Sequence, residues 1–165
     1  MRAVHAPPGR RSTPTLSITQ LAMPASGAQA LIIGGALSAA AGVAHLVCIL
    51  IGPSAYRFMG AGEKMARAVE ARKLRPTLIT LAIAAILFTW AAYAWSAAGV
   101  IGHLPFVKLA IPVITAVYLV RAVGFPVLKP VFPENSQTFW LVSSSICLLI
   151  GLVHFYGVVF LWPAL

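Results

Sequence analysis

The chain has 165 residues, of which 60% are hydrophobic and 9% charged, with a mean hydropathy of +0.92. Soluble domains carry about 25% charged residues, so this composition excludes a soluble fold and makes a bilayer the natural solvent. The formal charge of +9 would suit nucleic acid in a soluble chain. Here no Lys/Arg run with interleaved aromatics is present, which excludes nucleic acid and leaves anionic headgroups as the expected partner of the basic residues.

Residues 1–27 contain Pro7, Pro8, Arg10, Arg11 and Pro14 and no acidic side chain. Too little apolar surface is available to fold this stretch alone, and a disordered tail is expected. Arg10-Arg11-Ser12 is similar to a twin-arginine signal, but no apolar segment follows closely. The acid-poor, Arg/Ser-containing composition also resembles an organelle transit peptide. A start-site artefact, with Met23 as the true start, accounts better for the polar lead-in from Pro24 to Gln29.

Four apolar runs follow, at 28–51, 77–101, 109–128 and 138–162. Each is about 20 residues or longer, enough to cross a hydrocarbon core as helix. The expected fold is all-α, an integral membrane four-helix bundle with a short interfacial helix between the first and second spans. In the first span Gly34, Ser38 and Gly42 recur every four residues, with Gly35 and Ala39 beside them, a pattern that lets another backbone approach closely. The second span ends among Trp90, Tyr93 and Trp95, the last two placed for an interfacial belt. In the third, Pro112 falls in the first turn, and Pro126 is expected to kink or end the helix. Lys129 to Asn135 is a turn by composition. Trp140 and Trp162 bracket the fourth span as aromatic anchors.

The first connector, 52–76, holds Arg57, Lys64, Arg67, Arg72, Lys73 and Arg75, whereas the other two hold Lys108 and Lys129. Basic loops stay inside, so this connector is expected on the cytoplasmic side and both termini in the periplasm. Glu63 precedes Arg67 by four residues and Glu70 precedes Lys73 by three, the spacing of helical ion pairs, while Met65, Ala66 and Val69 form a narrow apolar stripe. Tyr56-Arg57-Phe58 reads as an interfacial anchor.

Ionisable and polar groups inside a bilayer are costly, which selects His45, His154, Arg121 and Ser143-Ser144-Ser145. Counting along the runs puts His45, Arg121 and the serines toward the cytoplasmic side. Arg121 is then about eight residues deep, and His154 lies nearer the outer face in an aromatic belt. The two histidines are offset by about 14 Å, which weighs against bis-histidine haem ligation. The candidate ligand-binding set is therefore His45, Glu63, Tyr118, Arg121, Ser143 and Ser144, with Glu63 as counter-ion to Arg121. Snorkelling by Arg121 and hydrogen bonds within or between helices account for the same residues without function, and weigh about two to one against the site. Gly42–His45 and Gly151–His154 repeat a G-x-x-H spacing. Cys48 and Cys147 lie inside spans as apolar filler, and no metal set or cofactor is expected.

The run Tyr56-Arg57-Phe58-Met59-Gly60-Ala61-Gly62-Glu63, with His45 upstream and Gly151–His154 near the end, resembles small uncharacterised bacterial inner-membrane proteins over roughly 30–160. That resemblance implies an architecture and no activity. Helix count and the charged first connector are also similar to DoxX-type membrane proteins, from which no function transfers. The Ala/Gly/Arg-rich usage fits a high-GC bacterium. A non-enzymatic small-ligand- or lipid-binding or accessory module of the inner membrane is expected, alone, as a homo-oligomer or with a membrane-protein partner. A small transporter or proton-coupled carrier using His45, Arg121 and Glu63 is the alternative, and a membrane redox or haem protein a lesser one.

Overall fold

The computed structural model describes the backbone of residues 18–131, 133 and 135–165, with side chains described from residue 25 onward. The expectations for residues 1–17, including the Arg10-Arg11 reading, lie outside the described residues. All described regular structure is helical: α1 (Ile18–Ile51), α2 (Pro53–Phe58), α3 (Glu63–Glu70), α4 (Leu74–Ala97), α5 (Val107–Val123), α6 (Phe125–Leu128) and α7 (Gln137–Leu161), closed by a 3-10 turn at Trp162–Ala164.

Three helices are long and apolar enough to cross a membrane, over Ala25–Ile51, Leu74–Ala97 and Gln137–Ala164. Each buries one narrow stripe and leaves other apolar side chains exposed. Leu50, Leu78 and Leu149 are 84%, 62% and 56% exposed. A soluble protein would have polar groups on those faces, so the outward surface is matched to lipid.

Helix α1 starts at Ile18, ahead of the expected boundary at 28. Packing explains the extension. Gly27 lies against Phe160 and Leu161 of α7, where even a Cβ would come within 3.1 Å of Phe160. The third apolar run differs more. The expected single span 109–128 divides at Gly124 into α5, of 17 residues, and the four-residue α6. Pro126 lacks the N–H an unbroken helix would use, and its ring crowds the carbonyl four residues back. At 1.5 Å per residue α5 is about 25 Å long, short of a hydrocarbon core of about 30 Å. Because α5 starts at Val107, Pro112 sits past the first turn where the sequence placed it.

Helix α1 lies between α4 and α7, and α5 packs mainly on α7 and less on α4. Small residues set these approaches. A Cβ on Gly35 would meet Trp95 and the Ala91 carbonyl of α4, and one on Gly42 would meet Phe88. On α7, Gly157 faces Leu31 of α1, and Gly151 faces Tyr118 and Leu119 of α5. The expectation of a close-packed small-residue face on the first span is met, with two neighbours rather than one.

At one end the first and third connectors dock on each other. Gly60 (φ 71°) leaves room for the Phe139 ring, and Asn135 Nδ2 donates to Gly60 O at 2.9 Å. Gly62 (φ 87°) then starts α3. The Gly-Ala-Gly-Glu run is thus a turn in which two glycines take backbone angles unfavourable to other residues. Tyr56, read from sequence as an interfacial anchor, is 2% exposed and packs with Cys48, Ala55 and Ala66. Its hydroxyl lies 3.1 Å from Thr80 Oγ1, which itself donates to Pro76 O. The anchor is therefore a tie between connector and α4.

Candidate functional site

Two polar clusters lie between the helices, and a third organises the first connector. At mid-height, Tyr118 Oη donates to Ser38 Oγ (2.9 Å), which donates to Gly34 O (2.9 Å). Both side chains are buried, with Trp90 edge-on to the Tyr118 ring at 5.0 Å. Tyr118 also lies 5.5 Å from the ring of His154, which is 0% exposed. His154 Nδ1 is 2.9 Å from Ile150 O. A carbonyl only accepts, so Nδ1 carries the proton and a neutral ring presents an Nε2 lone pair. That Nε2 is buried without a hydrogen-bond partner.

This arrangement corrects two expectations. Tyr118 belongs with Ser38 and His154, not with the groups at the connector end. His154 is in the core against Gly34 rather than in an outer aromatic belt; its neighbours Phe155 and Tyr156 hold the exposed positions. The chain's tight α1–α7 approach draws the histidine inward, because Gly34 has no Cβ to keep it out.

The second cluster lies toward the connector end. Arg121 Nη2 donates to Ser143 Oγ at 2.9 Å, and its guanidinium sits over the Trp140 ring, 5.3 Å from the centroid. Trp140, Ser143 and Ser144 share one face of α7 by their i, i+3 and i+4 spacing. Trp140 is 2% exposed, so it is buried under Arg121 rather than anchoring the span at an interface. Arg121 is in the last turn of α5, where the helix dipole favours a cation. Its expected depth of eight residues was counted along an unbroken run to 128, whereas α5 ends at Val123 and α6 follows after Gly124.

Arg121 has no carboxylate partner among the described residues. Glu63, expected beside it, is engaged elsewhere: Arg57 Nε and Nη2 donate to its two oxygens at 2.9 and 3.1 Å, and Arg67 Nε donates at 3.1 Å. Arg57 Nη2 also reaches Glu70 at 2.8 Å. The anticipated i, i+4 pair of Glu63 with Arg67 forms, whereas Glu70 takes Arg57 in place of Lys73. Helix α3 stops at Glu70 and Arg72 turns the chain at φ 53°, carrying Lys73 off the helical face. Hydrogen bonds from Arg57 and then Arg67 hold the Glu63 carboxyl at about 2, well below its ordinary 4.5, and the bonds to Glu63 and then Glu70 raise the Arg57 guanidinium. The network is exposed and solvent-screened, so its role is to set connector geometry more than to add stability.

Three buried atoms of the second cluster lack hydrogen-bond partners: Arg121 Nη1, Trp140 Nε1 and Ser144 Oγ. The first two can only donate and the third can do so. A cation without an anion, on the same helix pair as two further unsatisfied donors, is an incomplete arrangement, since buried polar groups left unpaired cost about 1–3 kcal/mol each. An acceptor-rich anionic group would complete it.

His45 stands apart. Its Nδ1 bonds Ala41 O of its own helix at 2.8 Å, and no hydrogen bond or ring contact joins it to Arg121, Tyr118 or the serines. Gly34 abuts His154, and from residue 34 to residue 45 the helix rises about 16 Å, so the two histidines are at different heights. Among the described residues no group of three or more His, Cys, Asp or Glu is placed to hold a metal. Both cysteines are unpaired thiols, Cys48 in the connector cluster and Cys147 against the main core.

Trp140 is the candidate-site residue that sequence reading did not select, and Ser38, the partner of Tyr118, was read only as part of a small-residue stripe. The signal for Trp140 was its spacing to Ser143 and Ser144; what pairs it with Arg121 is the register of α5 on α7. No family model matches the chain, and no curated protein or solved structure is detectably similar to it.

Proposed function

We propose that the chain is a non-enzymatic four-helix module of the bacterial inner membrane that binds a small anionic ligand or lipid headgroup at Arg121. In this reading α5 and α6 together make a fourth crossing, and the basic first connector lies in the cytoplasm with both termini in the periplasm. The charge asymmetry among connectors supports that orientation, with Lys108 and Lys129 against the six cations of 52–76. Reporter fusions after residue 62 and at the C-terminus test it. Activity of the C-terminal fusion in the cytoplasm contradicts it.

One observation carries the binding reading: Arg121 Nη1, Trp140 Nε1 and Ser144 Oγ are buried donors with no acceptor and no counter-ion among the described residues. An anionic oxygen there accepts charge-assisted hydrogen bonds in a low-dielectric setting, where they are strongest. Ser143 holds the guanidinium in place and Trp140 supports its face. The relay reading through His45, Arg121 and Glu63 is less well supported, because Glu63 is ion-paired to Arg57 and His45 bonds its own helix.

Native mass spectrometry of the purified full chain, with anionic lipids and small anions added, tests the site. Arg121→Gln is expected to weaken the bound anion about tenfold, the value of a charged hydrogen bond. Trp140→Phe, which keeps the ring and removes the donor, is expected to weaken it less. Unchanged affinity in Arg121→Gln would exclude the site.

A further inference from the structure

The first connector carries a second cationic feature, separate from Arg121. Where α3 meets the start of α4, Lys64, Met65, Ala68, Lys73, Arg75 and Pro76 line a cavity of about 320 Å³. Three of these six residues are cations and none is acidic. The chain reversal at Arg72 brings Lys73 and Arg75 back beside Lys64, which the sequence alone separates by nine positions or more.

Nearby carboxylates would ordinarily neutralise such a group. Here Arg57 binds both Glu63 and Glu70, and Arg67 adds a third hydrogen bond to Glu63. Lys64, Lys73 and Arg75 make no ion pair among the described residues. The Arg57 clamp therefore leaves the cavity with an uncompensated triple positive charge.

The surroundings choose between a soluble anion and a lipid. Met65, Ala68 and Pro76 give the cavity an apolar wall. Leu74 and Leu78, four residues apart on α4, are 74% and 62% exposed, and Leu78 follows the lining residue Arg75 by three positions, one helical turn on. The cavity thus takes in the first residues of a candidate span, with its cations close to exposed hydrocarbon of the same helix. We infer that Lys64, Lys73 and Arg75 bind the phosphate of an anionic phospholipid whose acyl chains lie along Leu74 and Leu78. Basic pockets at the ends of membrane helices recognise headgroups by this combination of charge and adjoining hydrocarbon.

Titration of the full chain in neutral detergent with phosphatidylglycerol, phosphatidylcholine and inorganic phosphate, read by native mass spectrometry, tests the inference. Phosphatidylglycerol is expected to bind more tightly than either other probe. Lys64→Gln, Lys73→Gln and Arg75→Gln should each weaken it about tenfold. Arg72→Gln removes the same charge from a residue that does not line the cavity, and a change below about twofold is expected. Equal losses in all four variants would mean diffuse surface charge and overturn the site. Equal binding of phosphatidylcholine would exclude charge recognition, and equal binding of inorganic phosphate would exclude the lipid. The selectivity comparison uses the unaltered protein and so does not depend on any variant folding. Arg121→Gln run in parallel separates the two sites: it should leave the Lys64, Lys73 and Arg75 dependence intact, and loss of that dependence would overturn a separate connector site.

Discussion

The mid-height cluster and the Arg121 cluster both place polar groups between α5 and α7, yet they leave opposite groups unsatisfied. Around Tyr118 the hydroxyls form a directed chain that ends on the Gly34 carbonyl, and the single unpaired atom is an acceptor, His154 Nε2. Around Arg121 the unpaired atoms are Arg, Trp and Ser donors beside a full positive charge. A lone neutral acceptor needs one donor, such as a water. A cation with several free donors needs an anion. The first cluster is therefore nearly self-contained and the second is left incomplete, whereas the sequence reading placed Tyr118 in one set with Arg121, Ser143 and Ser144.

The largest expected effect tests the structural side of that contrast. A Cβ at Gly34 would sit 2.7 Å from His154 Cε1 and Nδ1. Gly34→Val should therefore destabilise the protein by about 1–3 kcal/mol or more, as overpacking does. Thermal unfolding in detergent measures it. His154→Ala should relieve part of the cost in the double variant, giving a coupling energy between α1 and α7. Additive losses would mean that the histidine does not set that approach.

Tyr118→Phe probes the same cluster more gently. It removes the bond to Ser38 while Ser38 keeps its own bond to Gly34 O. A loss of about 0.6–1.7 kcal/mol is expected, the range for polar pairs between membrane helices. Ligand retention at Arg121 should be unchanged; a large loss there would join the two clusters into one site and break the comparison.

The smallest effect concerns pH and the connector. Glu63 is held at about 2 in the folded chain against an ordinary 4.5, so its contribution is present above about 4.5 and is lost as the pH falls toward 2. The protection of amides 53–70 against hydrogen exchange, taken relative to the intrinsic rate at each pH, should accordingly fall across that interval. Arg57→Gln removes the largest cause of the shift, so the acid-induced change should begin nearer 4.5 and be smaller. An acid response identical to the parent protein would show that the Arg57 clamp does not order the connector.

Much of the framework was legible in the chain. The apolar runs marked α1, α4 and α7 because length and hydropathy are summed locally. The Gly34, Ser38 and Gly42 repeat announced a close helix approach because a small-residue stripe has few other uses in a membrane. Pro126 announced a break, and because α5 ends at Val123, Arg121 stands in a last turn rather than in mid-helix. The Glu63–Arg121 pair failed for a related reason. Counting depth gives height along a helix but not azimuth, and Glu63 faces Arg57 and Arg67.

Composition and periodicity by themselves determined a membrane-matched, all-helical chain with one strongly basic connector, since these properties depend on side-chain solvation and local hydrogen bonding. Tertiary structure alone decided which polar groups meet. Ser38 reaches Tyr118 across 80 positions, and Arg57 gathers Glu63 and Glu70 before either can neutralise Lys64 or Lys73. Those encounters depend on helix rotation and on where glycines let backbones touch, and neither is written in the residues of a single helix.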